Sequence, residues 1–497
     1  MTRLLGFVCI QLALLFTAIS SGVAAAQTAD REASVAPTLT AVQQATIPCS
    51  RIITIVRAYE RLSELETKAR DGDDEANFIL GCYYFRDEVD SINLPRAHSY
   101  FLRSHELGNL SSTAYLAQFY RRGYFIDQDK AEAVRLFSKS MDGGNALGVR
   151  MYAVIVYSGD GVPKDIVLSA QLMERAATLG NEQAMNDTAN YFHYGTGVEQ
   201  DFAAESEWYR KSSESGNTVG MLEFGQNLLD GRGVTVDVER GVSLIRRSAD
   251  AGNGRASNRL GHMYEYGNHV ERNLVLATTY YGKSARAGYT WGMTNYGTAL
   301  MLGQGIAKNE PEAVAWLTAG AERGDTLAMN NLALAYMNGA GVPINPEYAI
   351  SLLELSASRG DGEAMTYLGR IYRSGTIVTK DLAKADFWFS KSADADFVDG
   401  MAEHGRALLN GEGVEQNKAE GLSWINKAVT QNNALGIAYL GAANEIGLGV
   451  PVNLPRAKEL LLRAARLGSA FAMERLNSNF DTLCETKDGS VSCRAKR

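Results

Sequence analysis

At 497 residues, 45% hydrophobic and 9% aromatic, the chain carries enough apolar material for a well-buried core along most of its length. Its formal net charge of −8 denies nucleic acid the basic face it requires, so no nucleic-acid partner is expected.

Residues 1–26 hold one early charge, Arg3, then an apolar run from Leu4 to Ile19, then small residues ending in Ala24-x-Ala26. That order predicts a secretory signal peptide cleaved before Gln27. The run includes Gln11 and is shorter than the ~20 residues that cross a bilayer, so no integral membrane segment is expected after signal removal. Cys9 lacks the small-residue context of a lipid-attachment box and is expected to leave with the signal. Residues 27–48, rich in Ala, Thr and Gln without a period, predict a flexible leader. Residues 49–72 predict an N-terminal capping helix, with Ile52, Ile53, Val56, Tyr59 and Leu62 on one side and an end at Gly72.

From residue 73 to 468 the chain repeats every 36 residues, eleven times without insertion. A fixed period of this size predicts a stacked array rather than a globular enzyme core. Positions are counted here from the glycine that closes the preceding repeat (Gly72, Gly108 and onward to Gly360). Asp396 and Asn432 stand in for two of these glycines, being the next most tolerant residues for a left-handed backbone. Position 4 is Ala, Gly or Ser, position 9 Ala or Gly, and positions 8 and 12 mostly large and apolar, as in Leu80 and Tyr84. These spacings put one apolar face on a first helix, A, with small residues where another helix crosses closely. Gly at 15 and usually at 17, Val or Ile at 18, and Asp or Asn at 21 predict a glycine stop, a buried pin and an N-cap. A second helix, B, follows, always apolar at 29 and small at 32. Four of the five tryptophans, Trp208, Trp316, Trp388 and Trp424, fall at position 28. They are expected to be core anchors whose truncation costs about 3–5 kcal/mol. Ser469 to Leu476 begins a twelfth helix A, and residues 469–497 form a C-terminal cap and tail.

The unit resembles the Sel1-like repeat family, relatives of the tetratricopeptide repeats. The residues that carry the resemblance are Leu-Gly at 8–9, Tyr at 12, Gly-x-Gly-Val at 15–18, Trp at 28 and Ala-Ala at 32–33, over about four fifths of the chain. Asp87 departs from the pattern at the first loop glycine, and Phe125, His269 and Ile377 at the second. The resemblance implies an all-α, right-handed superhelical solenoid whose A helices line a concave surface, and adaptor roles in exported bacterial members.

Four cysteines remain after signal removal, all near the ends of the array. In an oxidising compartment the expected pairs are Cys49–Cys82 and Cys484–Cys493, each stabilising its end by ~2–3 kcal/mol. No Gly-x-Ser-x-Gly elbow, phosphate loop or Cys-x-x-Cys occurs. His105-Glu106 lacks the second His of a zinc protease. Gly159 to Asp165 lacks the alternating oxygen ligands and terminal Glu of a calcium loop. No enzyme activity, cofactor or metal is therefore expected. The methionines at position 5 (Met185, Met221, Met293, Met329, Met365, Met401) read as core packing.

His98, His105, His269 and His404 read as packed, loop or surface residues. His193 and His262 fall at positions 13 and 10, which by resemblance to tetratricopeptide geometry face the groove together with 3, 6 and 14. In repeats four to eight these positions supply Asn186, Asn190, His193, Tyr194, Arg255, Asn258, His262, Glu265, Tyr266, Trp291, Thr294 and Asn330. Trp291 lies outside the anchor position, so packing periodicity does not account for it. Asn side chains bond both sides of an extended backbone, and Tyr and Trp add rigid contact area. The expected function is an exported, non-catalytic scaffold or adaptor that binds protein partners through the concave face. Its setting would be envelope assembly, exopolysaccharide-related processes, signalling or host interaction, in the periplasm, at the cell surface or in the medium. The alternatives are a protein binding exopolysaccharide or peptidoglycan, with Trp291, Tyr194 and Tyr266 as stacking platforms, and, more remotely, an envelope hydrolase.

Overall fold

The computed structural model describes residues 62–85, 93–487 and 490–495. The signal, the leader, most of the capping segment, Cys49 and Asp87 lie outside the described residues. The chain divides into two compact units that meet in sequence at Ala287 and Gly288.

In the first unit, α1 (Leu62–Arg70) precedes six helix pairs. These are α2 (Asp74–Phe85) with α3 (Leu94–Glu106), α4 (Leu110–Arg122) with α5 (Lys130–Asp142), and α6 (Ala146–Ser158) with α7 (Ile166–Thr178). Then come α8 (Glu182–Tyr194) with α9 (Phe202–Glu214), α10 (Thr218–Asp230) with α11 (Val238–Asp250), and α12 (Gly254–Tyr266) with α13 (Leu274–Arg286). The second unit holds five pairs: α14 (Thr290–Leu302) with α15 (Glu310–Glu322), α16 (Thr326–Asn338) with α17 (Pro346–Ser358), and α18 (Gly362–Ser374) with α19 (Leu382–Asp394). The last two are α20 (Val398–Asn410) with α21 (Lys418–Thr430), and α22 (Ala434–Ile446) with α23 (Leu454–Arg466). It ends in α24 (Ala470–Asn479) and the strands β1 (Thr482–Lys487) and β2 (Ser490–Ala495). Even-numbered helices from α2 to α22 are the A helices and their odd-numbered partners the B helices of an all-α repeat array.

The periodic residues explain the pairing. A Cβ added at Gly81, Gly261 or Gly369, all at position 9, would sit 2.4–2.6 Å from the ring of Phe101, Tyr281 or Phe389 at position 29. The small residue of helix A thus receives the large residue of helix B. Position 32 is small for a second reason. Ser104, Ser140, Ser248, Ser284 and Ser392 each donate to the backbone carbonyl at position 2 of their own repeat, at 2.7 Å. Each bond satisfies an otherwise buried hydroxyl and pins helix B across the start of helix A. N-caps fall as expected: Asp129, Asp165 and Asn453 accept from the backbone N–H three residues on.

The closing position demands a left-handed backbone. Asp396 and Asn432 adopt φ of 56° and 57° there, as their selection in place of glycine predicts. At position 17, a Cβ on Gly233 would approach the Phe202 carbonyl oxygen to 1.9 Å. Phe125 and His269 nevertheless hold φ of 63° and 61° at that position, two bulky residues in a strained conformation.

The structure corrects one expectation and adds detail to another. The deepest anchor is position 29, not the tryptophans: Phe101, Phe137, Leu317, Leu353, Phe389 and Ile425 are at most 1% exposed. Trp208 is buried, but Trp316, Trp388 and Trp424 are half-buried, and Lys427 stacks its ammonium 3.7 Å from the Trp424 ring. The tail, expected as a C-terminal cap with a Cys484–Cys493 pair, also contains two strands. β1 and β2 pair antiparallel with Cys484 opposite Cys493, and these two form a disulfide. Cys484 packs with Ile437, Leu461 and Leu476, and Asn477 bonds its backbone N–H and carbonyl, so the hairpin covers the last repeat. Cys82 is also disulfide-bonded; its expected partner, Cys49, lies outside the described residues.

Candidate functional site: the solvent-facing side of the A helices

Helix periodicity places positions 3, 10, 13 and 14 on one side of each A helix, and the structure leaves this side uncovered at several repeats. Position 6 is different. Asn186, Asn258, Thr294 and Asn330 are only 1–5% exposed, a correction to their expected place in the groove. Asn186 Nδ2 donates to Asn217 Oδ1 at 3.0 Å, and Asn330 Nδ2 to Asp361 Oδ1 at 3.0 Å. Asn217 and Asp361 are the N-caps of the following A helices. Position 6 is therefore an inter-repeat clip, and tetratricopeptide geometry does not transfer there.

In the first unit, α8 presents Asn190, His193 and Tyr194. Tyr194 is 41% exposed, and its ring meets the His193 ring edge-on at 4.4 Å. Behind them stands α9. Glu205, 2% exposed, lies 3.0 Å from His193 Nδ1 through Oε2, and Asn227 Nδ2 approaches its Oε1 at 3.4 Å. Tyr209 donates its hydroxyl to Asn190 Oδ1 at 2.9 Å. On α12 a parallel arrangement recurs. Tyr281 of α13 donates to Glu265 Oε2 at 2.5 Å and lies 3.2 Å from His262 Nδ1. Burial, aided by the Arg259 charge, pushes His262 down to about 4, so the ring is neutral at physiological pH. Burial also raises the Glu265 carboxyl, against the Tyr281 hydrogen bond. Tyr266, 41% exposed, lies parallel to the His262 ring at 6.2 Å. Arg255 is exposed and paired with Glu223 at 2.6 Å.

In the second unit, Trp291 is half-buried against Tyr289 at 5.8 Å. A cluster outside the predicted set lies further on. Glu403 of α20, 1% exposed, accepts from Arg373 through two bonds, from Arg370 at 3.4 Å, from Arg406 at 3.3 Å and from Tyr439 at 3.1 Å. Asp399 takes Arg370 at 2.8 Å and Glu412 takes Arg406 at 2.7 Å. Burial alone would raise the Glu403 carboxyl, but the guanidinium groups of Arg373 and Arg370 overcome it and hold it at about 2. Reading positions 3, 10 and 13 into repeats nine and ten would have found Glu363, Arg370, Arg373, Asp399 and Arg406. Glu403 itself occupies position 7. His404 was also legible as a break in pattern: it replaces the usual large apolar residue at position 8, and Asp386 Oδ1 meets its Nδ1 at 2.8 Å.

Among the described residues no group of three His, Cys, Asp or Glu side chains could hold a metal ion, and no helix is long and apolar enough to cross a membrane.

Fold and face together define a helix-turn-helix repeat solenoid, a class whose arrays serve in general as protein-interaction scaffolds rather than catalysts. A family model described as Sel1 repeat matches residues 74–109, 111–145, 146–181, 182–217, 219–253, 254–289, 292–325, 326–361, 362–397, 398–433 and 434–469. The chain belongs to the Sel1 repeat family. It is similar to the crystal structure of c5321, a protective antigen present in uropathogenic Escherichia coli strains displaying an SLR fold. That chain is 29% identical, with TM-score 0.59 over 84% of this chain and 89% of that one. A Sel1 repeat protein from Oxalobacter formigenes is 23% identical, with TM-score 0.48 over 64% and 93%. Yeast Tom70 is 11% identical, with TM-score 0.34 over 82% and 94%. No curated protein matches the chain.

Proposed function

We propose that the chain is an exported adaptor that holds protein partners on the solvent-facing side of its A helices, in the bacterial envelope or beyond it. One observation carries the reading: on α8 and α12, beside the exposed rings of Tyr194 and Tyr266, the exposed Asn190 and the half-buried His193 and His262 stand against polar groups set behind them on helix B, Tyr209, Glu205 and Tyr281. Positions 25 and 29 are elsewhere small or apolar, so these partners are not what stacking the repeats requires. Export is supported by the Leu4–Ile19 run with Ala24-x-Ala26, by the Cys484–Cys493 disulfide, and by likeness to a protein described as a protective antigen. The periplasm is the favoured compartment.

The test is affinity capture from envelope extract with the full chain as bait, beside a Tyr194→Ala, His262→Ala, Tyr266→Ala, Trp291→Ala version. The expected result is a set of proteins retained by the first bait and lost by the second. The exposed rings of Tyr194 and Tyr266 favour a second reading, stacking on a glycan; glycan lost in place of protein would select it. N-terminal sequencing of the extracellular or periplasmic form should begin at Gln27, and recovery of uncleaved chain solely from the cytoplasm would sink the export claim.

A further inference from the structure

Position 31, on helix B, is Lys or Arg in nine of the eleven repeats. In three of these repeats the array uses the cation itself. Lys283 pairs with Asp250, the position-34 acid of the preceding repeat, at 3.0 Å. Lys211 and Lys427 stand over the position-28 rings of Trp208 and Trp424. Arg247, in repeat five, has neither kind of partner. Position 28 is Leu244 there, and the position-34 acid before it, Glu214, is taken by Arg210 at 2.5 Å. Among the described residues no hydrogen bond, ion pair or ring contact holds the Arg247 side chain.

Arg247 lines a cleft of about 540 Å³ between α9 and α11. Position 30 of one repeat and positions 24 and 31 of the next meet there as Arg210, Arg240 and Arg247. Where repeat four meets repeat five is the one junction in the array with a basic residue at all three. Arg210 is spent on Glu207 and Glu214. The Arg240 guanidinium lies 5.3 Å from the Phe224 ring centroid and is bonded to no carboxylate among the described residues. Ser213, 7% exposed, also lines the cleft, and its hydroxyl has no partner among the described residues. The acids on the lining are Glu214, Asp237 and Glu239. Glu214 is neutralised by Arg210, and Asp237 Oδ1 caps α11 by accepting the Arg240 backbone N–H at 3.0 Å, its charge set against the helix N-terminus. What remains uncommitted is two guanidinium groups against the one carboxylate of Glu239.

We propose that this cleft takes a carboxylate side chain from an extended acidic segment of a protein partner, with Arg240 and Arg247 donating to the carboxylate and the Ser213 hydroxyl as a third donor. A guanidinium is a planar fork that matches a carboxylate. The residual excess of one positive charge suits one carboxylate better than a divalent phosphate. The volume is that of a site for an organic group rather than a bare ion. Glu239 is left to accept a backbone N–H beside the acidic side chain, a donor that a polypeptide carries at nearly every residue. The cleft lies between B helices, so it adds a binding surface beyond the A-helix side and does not depend on the function proposed for that side.

The test uses the full chain and an array of synthetic peptides of randomised sequence, each acidic peptide beside a twin with Gln for Glu and Asn for Asp. Wild type should hold a set of acidic peptides about tenfold tighter than their twins, in line with hydrogen bonds to a charged group. Arg240→Gln and Arg247→Gln should each remove most of that preference, and Ser213→Ala about threefold of it. Thermal midpoints should not move, because both arginines are exposed. Lys391→Gln, in the position-31 column of repeat nine, controls for general charge and should leave the preference intact. So should Tyr194→Ala with Tyr266→Ala, which strips the A-helix side. A preference that persists when both arginines are replaced, or that falls equally in Lys391→Gln, would overturn the site, as would the absence of any preference in wild type. Acidic peptides lost with the two tyrosines would belong to the A-helix side and overturn it as well. A sulfated oligosaccharide held through Arg240 and Arg247, with no acidic peptide held, would overturn the polypeptide as occupant.

Discussion

Repeats four and ten both bury a glutamate beside an A-helix face, and they use it in opposite ways. Glu403 is surrounded: three guanidinium groups and the Tyr439 hydroxyl point at its two oxygens, while Asp399 and Glu412 take up remaining bonds of Arg370 and Arg406. Donors and acceptors are consumed within the cluster. Glu205 is not: Asn227 Nδ2 reaches its Oε1 at 3.4 Å, while its Oε2, 3.0 Å from His193 Nδ1, makes no hydrogen bond among the described residues. A saturated polar cluster specifies how its own helices pack, whereas an open one specifies what else fits. The repeat sequence accommodates both because stacking leaves this side of the A helices uncovered at several repeats.

The widest gap between the two should appear on truncation. Glu403→Ala leaves three arginines facing one another with their central counter-charge gone, and should lose about 3–5 kcal/mol. Hydrogen exchange at α18, α20 and α22 should read that loss locally; full protection there would erase the distinction between the two repeats. The pH dependence adds a check on sign. The Glu403 carboxyl is held at about 2 against an ordinary 4.5, so its contribution is present above pH 4.5 and drains away as pH falls toward 2.

The His262 group lies between the extremes, since Tyr281 serves Glu265 and His262 together. Tyr281→Phe removes a charge-assisted hydrogen bond from a carboxylate already raised by burial, and should cost about 1–3 kcal/mol. Unchanged stability would mean that the carboxyl is adequately served by solvent and belongs with the open sites.

Much of this was legible in the residues and some was not. The period gave the helix boundaries, because Gly at 15 and Asp or Asn at 21 are local backbone requirements with one solution each. The left-handed turns at Asp396 and Asn432 followed for the same reason. Position 6 was misassigned because its neighbour is the N-cap of the next repeat, a contact set by how repeats stack. Tryptophan at 28 looked like the anchor because size and recurrence were read together, yet depth is decided by which residue meets the glycine at 9. Glu205 needed no coordinates: it is the single charge in a column of small residues.

Glu363, half-buried, tests whether a carboxyl can lose solvent without becoming part of a closed cluster. It accepts from Tyr367 at 3.1 Å and lies 3.4 Å from Asn330 Nδ2, with no guanidinium bonded to it among the described residues. Burial, reinforced by the Asp361 charge, pushes it up to about 7 from 4.5. A raised carboxyl means that the folded state keeps a proton the unfolded chain releases, so stability falls as pH rises from 4.5 to 7 and the full penalty applies above. Glu363→Gln should therefore gain about 1–2 kcal/mol at pH 8 and nothing at pH 4. A gain of equal size at both values would trace to packing instead.

The smallest expected effect on stability discriminates most. Glu205→Ala installs the residue that most other repeats carry at position 25. Asn227 keeps its 2.8 Å bond to Ser206, and His193, already partly exposed, turns to water. The change should fall within about 0.5 kcal/mol of neutral or be stabilising, because it removes a buried carboxylate with one oxygen that makes no hydrogen bond. Chemical denaturation of this variant beside Glu403→Ala sets the two buried glutamates on one scale. If both variants lose several kcal/mol, Glu205 is a structural group like Glu403. If only Glu403→Ala does, the fourth repeat carries a carboxylate its fold does not need, and the α8 face beside it is the place to look for the partner.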